Sequence, residues 1–562
     1  MEPHLVIQLV KDTAAQYSLY VLLAVLLFSC LANRVITGLQ SQPYASTEGE
    51  AHRVRKLAYW VPGLGHAFSF VWSHRAFLLK AVKTINEPVV ALQMGTRTQY
   101  FIYSPSMAQR LFDYRGARSG VFSTRIIENF VGDRGLFRRI TPENLETISR
   151  TLTLITEEPY LEQLSSKIAK FLERETANLV SFNRSLVDQA IWERNAGITV
   201  EEDSNPPVSE GSLFALTRSF TTYITTQIFM GQALLDFHPG LLEDLWLWDR
   251  EFVRLSGGTP RLLLPGVSAA HAARERTTRL MSVLQASFLA VEDGRDAPME
   301  FRDLDDVSEL MQQRIRLLKT LGLNPTLSGR LDSWLLWKLT SDSSKLTFWT
   351  LFHAYSDPTL LSNIRKEIAP FVKTSRLGPK ETGLPFMEPP RLSMDMKRLL
   401  KSCPLLKATY AESVRLETNP ISYRELTTDL VLTESPKEAA ISDLKEPRFY
   451  EFHRGDVLAV PCGAHHIDPT FYPEPQTFDP TRFISVKSGK KTFDWQGVLP
   501  FGGDDTFASL AEREVLAVSA AIISLWDIDP VSAGGWKHPG HRLSANAYNI
   551  SHDVRVRLKH RI

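Results

Sequence analysis

No charged side chain interrupts the chain from Ala14 to Ala32, and the centre of that run, LYVLLAVLLFSCLA, is almost wholly apolar. As a helix it is roughly 28 Å long at about 1.5 Å per residue, close to the roughly 30 Å hydrocarbon core of a bilayer. Such a run commits the N-terminus either to a membrane or to removal as a signal peptide. Among lysines and arginines only Lys11 precedes it, whereas Arg34, Arg53, Arg55 and Lys56 follow. The positive-inside rule then leaves the bulk of the chain in the cytosol. The expectation is a single-pass anchor: residues 1–13 lumenal, 14–32 transmembrane, 33–57 a linker and 58–562 a globular body.

With 562 residues, 43% of them hydrophobic, the body can bury a large core. Lys+Arg number 64 against Asp+Glu 63, which removes the electrostatic reason to expect a nucleic acid. Cys30, Cys403 and Cys462 are too few and too scattered for a disulfide framework or a zinc site, and no metal is expected.

Pro62, Gly63 and Gly65 predict a fixed turn between linker and body. PVVALQMGTRTQYFIY (88–103) predicts two strands around Gly95, as in a hairpin. Most of 105–230 has helical periodicity. Leu331–Tyr355 predicts a long apolar helix with a polar interruption, and Ser356-Asp357-Pro358 a stop and restart. Gly378–Arg391 is a Pro/Gly-rich loop, short strands follow between Ile421 and Val460, and Val554–Leu558 alternates as a closing strand. The fold class expected is α+β, mainly α.

Glu412 and Arg415 lie three apart in YAESVRLETNP, so a helix puts them on one face, where such a pair is usually a weak surface contact. RGDVLAVPCGAHHIDPTFYPEP follows, then Asp479-Pro480-Thr481-Arg482-Phe483 and Phe501-Gly502-Gly503. In that order these segments resemble the cytochrome P-450 superfamily. Glu412 and Arg415 match its Glu-x-x-Arg helix, Arg482 the arginine of its Pro-x-Arg-Phe motif, and Phe501-Gly502-Gly503 the start of its haem loop. WKLTSDSSKLTFWTLFHAYSDP is similar to the branch with sterol hydroxylases, prostacyclin synthase and fungal biosynthetic members. The resemblance spans nearly the whole chain. It implies that body's fold with small β-sheets, a buried ionic cluster of Glu412, Arg415 and Arg482, and an endoplasmic reticulum membrane location.

One departure matters more than these matches. The family loop continues to a cysteine, and without gaps that position is Ala508, with Asp504 and Leu510 at the glycine positions. From Phe501 to Trp526 there is no Cys, His, Met, Tyr or Lys. Thiolate ligation is what favours O–O cleavage on haem iron. Asp504, Asp505 or Ser509 offers weak oxygen ligation at most, and both aspartates also suit the cap of the following helix.

In the long helix, Asp342 and Ser343 fall on the family's acid and alcohol pair. They are the candidate catalytic residues, as general acid/base or polar anchor in a lipophilic pocket. The opposing reading is a hydrated polar notch with Asp342 paired to Lys338 or Lys345. His465, His466, Cys403 and Cys462 read as packed residues. The expected function is therefore a haem-independent, non-oxidative enzyme: an isomerase, cyclase or pericyclase, such as an intramolecular Diels–Alder catalyst, acting on a lipophilic secondary-metabolite intermediate. No cofactor is expected, with haem bound only without a cysteine ligand, and no reductase partner is implied. The alternatives are a monooxygenase-like haem oxidoreductase with atypical ligation and a non-catalytic ligand-binding or scaffolding relative.

Overall fold

The computed structural model describes residues 3–42, 51–118, 121–202, 204–262, 264–376, 388–441, 446–487, 489–495, 497–498 and 506–561. Helices dominate and the sheets are small, the mainly α class that the sequence predicts. Two compact units divide the chain, Met1–Ser123 with Ile421–His465, and Thr124–Pro420 with His466–Ile562.

In the first unit, helix α1 (Pro3–Gln40) continues past the apolar run into the expected linker. Tyr20–Gln40 has the length and mean hydropathy, 2.0, to cross a membrane. The end of α1 is latched to the chain beyond it. Asn33 Nδ2 donates to the Tyr59 carbonyl (2.9 Å), Thr37 Oγ1 donates to the same oxygen (3.2 Å), and Arg55 Nη2 donates to the Ser41 carbonyl (2.9 Å). The Pro-Gly turn follows, where Gly65 has φ 61° and a Cβ would stand 2.2 Å from the Gln93 carbonyl oxygen. Only glycine fits so close an approach at positive φ.

The predicted hairpin is present: Val89–Met94 pairs antiparallel with Arg97–Ile102, and Gly95 turns between them at φ 63°. Val457–Val460 adds parallel to Arg97–Ile102 and antiparallel to Ser422–Leu426. Val90, Leu92, Phe101 and Ala459 from this sheet pack with Leu78 of helix α2 (Ala67–Ile85) as a small core.

The second unit is built on helices α3 (Leu213–Met230), α4 (Leu241–Arg250), α5 (Pro265–Glu292), α6 (Pro325–Ser356), α7 (Pro404–Glu417) and α8 (Ala508–Leu525). Asn324 caps α6 by accepting from the Leu327 N–H, with Pro325 in the first turn. Asp357 accepts from Thr359 and Leu360, which starts the next helix, Pro358–Ile368, at the predicted stop and restart. Helix α6 packs against α3, α5, α7 and α8 and is buried on nearly every face. A helix enclosed in this way needs no amphipathic stripe, and its polar residues must find partners within the core. Helix α8 contains neither Gly nor Pro, and its small alanines let it run through the core. Beyond it, Trp526–Pro530 pairs antiparallel with Arg555–His560, the predicted closing strand, which also pairs with Ser209–Ser212.

Candidate active site

The Glu412–Arg415 pair is not a surface contact. Both side chains are fully buried, and the guanidinium meets the carboxylate through two bonds of 2.7 Å. Arg415 Nη1 also donates to the His466 and Pro475 carbonyls (2.7 and 2.8 Å), and its guanidinium lies 5.1 Å from the Tyr472 ring centre. Glu412 Oε1 accepts from the Asp479 N–H (2.9 Å) and Arg482 Nε (3.2 Å). The helix spacing of three aligns the first pair, and the Asp-Pro-Thr-Arg turn delivers the second arginine. His466 serves this cluster through its backbone.

Asp342 and Ser343 sit mid-way along α6, 5% and 1% exposed, so the polar run is a buried stripe and not a hydrated notch. Asp342 Oδ2 accepts from Asn546 Nδ2 (2.8 Å) and Oδ1 from the Ala547 N–H (3.2 Å), with Lys338 Nζ 3.7 Å away. Lys345 does not pair with it. Its ammonium turns to Asp249 of α4 (3.1 and 3.2 Å) and to Ser341 and Ser544 (2.9 and 2.8 Å). Asp249 also accepts from Ser341 (2.6 Å), Trp337 Nε1 (3.0 Å) and Asn549 (3.2 Å). Burial alone would raise the Asp249 pKa, but Lys345 and these donors hold it below the usual aspartate value. Nothing local in LWDREF marks Asp249. The usable signal was Lys345 itself, because an ammonium inside an apolar helix requires a carboxylate partner.

Glu514 of α8 is the third acid here, and the sequence reading did not single it out as a site residue. It accepts hydrogen bonds from Thr225 Oγ1 of α3 and from Ser343. Burial pushes its carboxyl up to about 7, the hydroxyl donors offsetting only part of that effect. The folded state therefore binds this proton more tightly than the unfolded chain, whose value is about 4.3. The resulting stabilisation is complete below about pH 4 and is lost as pH rises to about 7. Glu514→Gln is accordingly expected to flatten the pH dependence of stability across that window. It should exceed the parent at pH 8 by about 3 kcal/mol, read by urea unfolding.

Ala508 is the first residue of α8, preceded by Phe507 at the N-cap position, while Phe501–Asp505 lie outside the described residues. Between α6 and α8, a cavity of only about 10 Å³ remains, lined by Lys338, Leu339, Asp342, Ser343, Phe507, Leu510 and Ala511. Cys403 stands at the start of α7, donating weakly to the Glu367 carbonyl, and Cys462 belongs to the other unit. Burial pushes both thiols up to about 12, so neither is a ready thiolate.

Residues 340–503 match the family model described as Cytochrome P450, from within α6 to the end of the Phe-Gly-Gly segment. A cytochrome P450 monooxygenase, poxD, of Penicillium oxalicum is 24% identical over 90% of this chain and 93% of its own. A cytochrome P450 monooxygenase of Gibberella zeae is 19% identical over 85% and 81% of the two chains. Cytochrome P450 7A1 of Oryctolagus cuniculus is 24% identical over 52% and 53%. These findings overturn the expectation of no cofactor, because haem is the group that this family and its monooxygenases carry. The residues present do not fit a cysteine-ligated haem, because no cysteine occurs from Phe501 to Trp526. The family match over residues 340–503, a relative aligned along nine-tenths of the chain and the buried cluster of Glu412, Arg415 and Arg482 together make this chain similar to the cytochrome P450 family.

Proposed function

We propose that this chain is a membrane-anchored P450-family enzyme that isomerises or cyclises a lipophilic biosynthetic intermediate with no net redox change. The observation that carries the reading is the replacement of thiolate by acid chemistry where α6 meets α8. No cysteine occurs from Phe501 to Trp526, and Glu514, its carboxyl raised to about 7, bonds Ser343 beside the fixed carboxylate of Asp342. A carboxyl raised in this way, joined to a hydroxyl, is suited to giving a proton at one substrate atom and taking one from another.

In this mechanism the Ser343 hydroxyl relays the Glu514 proton to the substrate, and Glu514 regains one from the rearranged product. Electrons stay within the substrate, so no reductase is required. Asp342, held by Asn546 and the Ala547 N–H, orients the polar end of the substrate. Holding a flexible chain in one reactive conformer supplies roughly 7–11 kcal/mol of barrier reduction. The α6–α8 seam must open to admit the substrate, since its present space is no larger than a water. An endoplasmic reticulum location, body in the cytosol, goes with this reading, as does a lipophilic substrate of the kind that the 7-alpha-hydroxycholest-4-en-3-one 12-alpha-hydroxylase and cholesterol 7-alpha-monooxygenase names give for those relatives.

Haem-supplied full-length protein, incubated with candidate polyene or terpenoid precursors without oxygen or NADPH, is expected to yield a product of unchanged mass. Asp342→Asn and Glu514→Gln should each lower kcat by about 10²-fold or more. The relatives' names favour a second reading, a monooxygenase with unusual ligation. A product one oxygen heavier, formed only with NADPH and air, would establish that reading and sink the first.

A further inference from the structure

We propose that Glu417 with His538 and His541 forms a zinc site on the second unit, with His353 bonded to the same carboxylate. Glu417 ends α7 and its side chain is 2% exposed. Its Oε1 lies 2.8 Å from His353 Nε2 and 3.5 Å from His538 Nε2, and its Oε2 lies 2.6 Å from His541 Nε2. The ligand atoms of Glu417, His538 and His541 all fall within 4.8 Å of one another. Tetrahedral zinc with bonds of about 2.0–2.1 Å spaces its donors at roughly 3.4 Å, so shifts of under about 1 Å close the site. The cysteine count, which spoke against zinc, has no bearing on a site made of imidazole and carboxylate.

Three features separate this cluster from a chance meeting of side chains. Each imidazole is already oriented by an aromatic face: His353 stacks on Phe478 at 3.9 Å, His541 on Tyr548 at 4.2 Å, and His538 on Trp349 at 5.1 Å. Among the described residues, no lysine or arginine forms an ion pair with the buried Glu417 carboxylate, so its charge is left for imidazole or for a cation. The approach is open, because His538 and His541 keep 42% and 33% of their side-chain surface. Mixed nitrogen and oxygen donors suit zinc, whereas calcium and magnesium take oxygen. The Gly540 N–H donates to His538 Nδ1 (3.1 Å), which keeps the His538 proton on Nε2 in the metal-free state.

A bound ion would pin the His-Pro-Gly-His turn to α7. The same segment runs on to Asn546 and Ala547, the residues that hold Asp342. This proposal stands whether or not the acid mechanism does.

The test uses full-length protein in detergent, stripped with a chelator and titrated with Zn²⁺ against a chromophoric indicator, with Co²⁺ as a spectroscopic probe. One ion per chain, a four-coordinate Co²⁺ spectrum and a raised thermal midpoint are expected. His541→Gln keeps a hydrogen-bond donor toward Glu417 but removes the imidazole, and should lose at least about 100-fold in affinity. His238→Gln, outside the cluster, should bind as the parent does. Absence of a stoichiometric site in the parent, or equal affinity in His541→Gln, would overturn the proposal.

Discussion

Replacing Arg415 with methionine is expected to destabilise the second unit by about 3–5 kcal/mol, enough to leave much of the protein unfolded or aggregated on expression. Truncation leaves the Glu412 carboxylate, at 0% exposure, with only Arg482 and the Asp479 N–H to answer it. The His466 and Pro475 carbonyls lose their donor at the same time. Arg482→Met should do far less, since that side chain is 15% exposed and the bidentate pair survives its loss. Urea unfolding followed by tryptophan fluorescence orders the two variants. Equal midpoints would show that the cluster is not the fold's keystone.

Lys345→Met carries the second large effect, again about 3–5 kcal/mol, because it strands the Asp249 carboxylate in the core. The double variant Asp249→Leu with Lys345→Met should recover most of the loss, since a buried pair replaced by packed apolar groups is often near neutral. The pH dependence follows from the direction of the Asp249 shift. Its folded value is depressed, so its contribution is present above about pH 3.9, the unfolded value, and is lost as pH falls through the folded one. Without Lys345 the carboxylate takes up a proton more readily, and acid unfolding should begin at higher pH. A double variant as weak as the single one would mean that packing, not charge, dominates at this position.

Patterns that close within a few residues were legible. The hairpin around Gly95, the Ser-Asp-Pro break and the spacing of Glu412 and Arg415 each depend on a single element and its turn chemistry. Position within the core was not. The polar run at Thr340–Lys345 looked like a solvated notch because the carboxylate that satisfies Lys345 lies 96 residues away on α4. Lys338 is the local partner of Asp342 that the spacing predicts, but Asn546, which also holds it, arrives from a turn 204 residues later. Glu417 and its histidines were missed for the same reason: three separate segments meet there, and periodicity sees one at a time. The missing cysteine was plain from the sequence, yet it bears on ligation and not on whether the family's haem is carried.

The latch between α1 and Tyr59 has a mechanical consequence. A peptide stalk of free residues would let a tethered body tumble against a lipid surface like a leash. Here α1, whose Tyr20–Gln40 span is a candidate to cross a membrane, is hydrogen-bonded to the chain it feeds, and the Gly65 approach to Gln93 fixes the next bend. The stem acts as a bracket, so the first unit should meet its membrane at a set height and tilt.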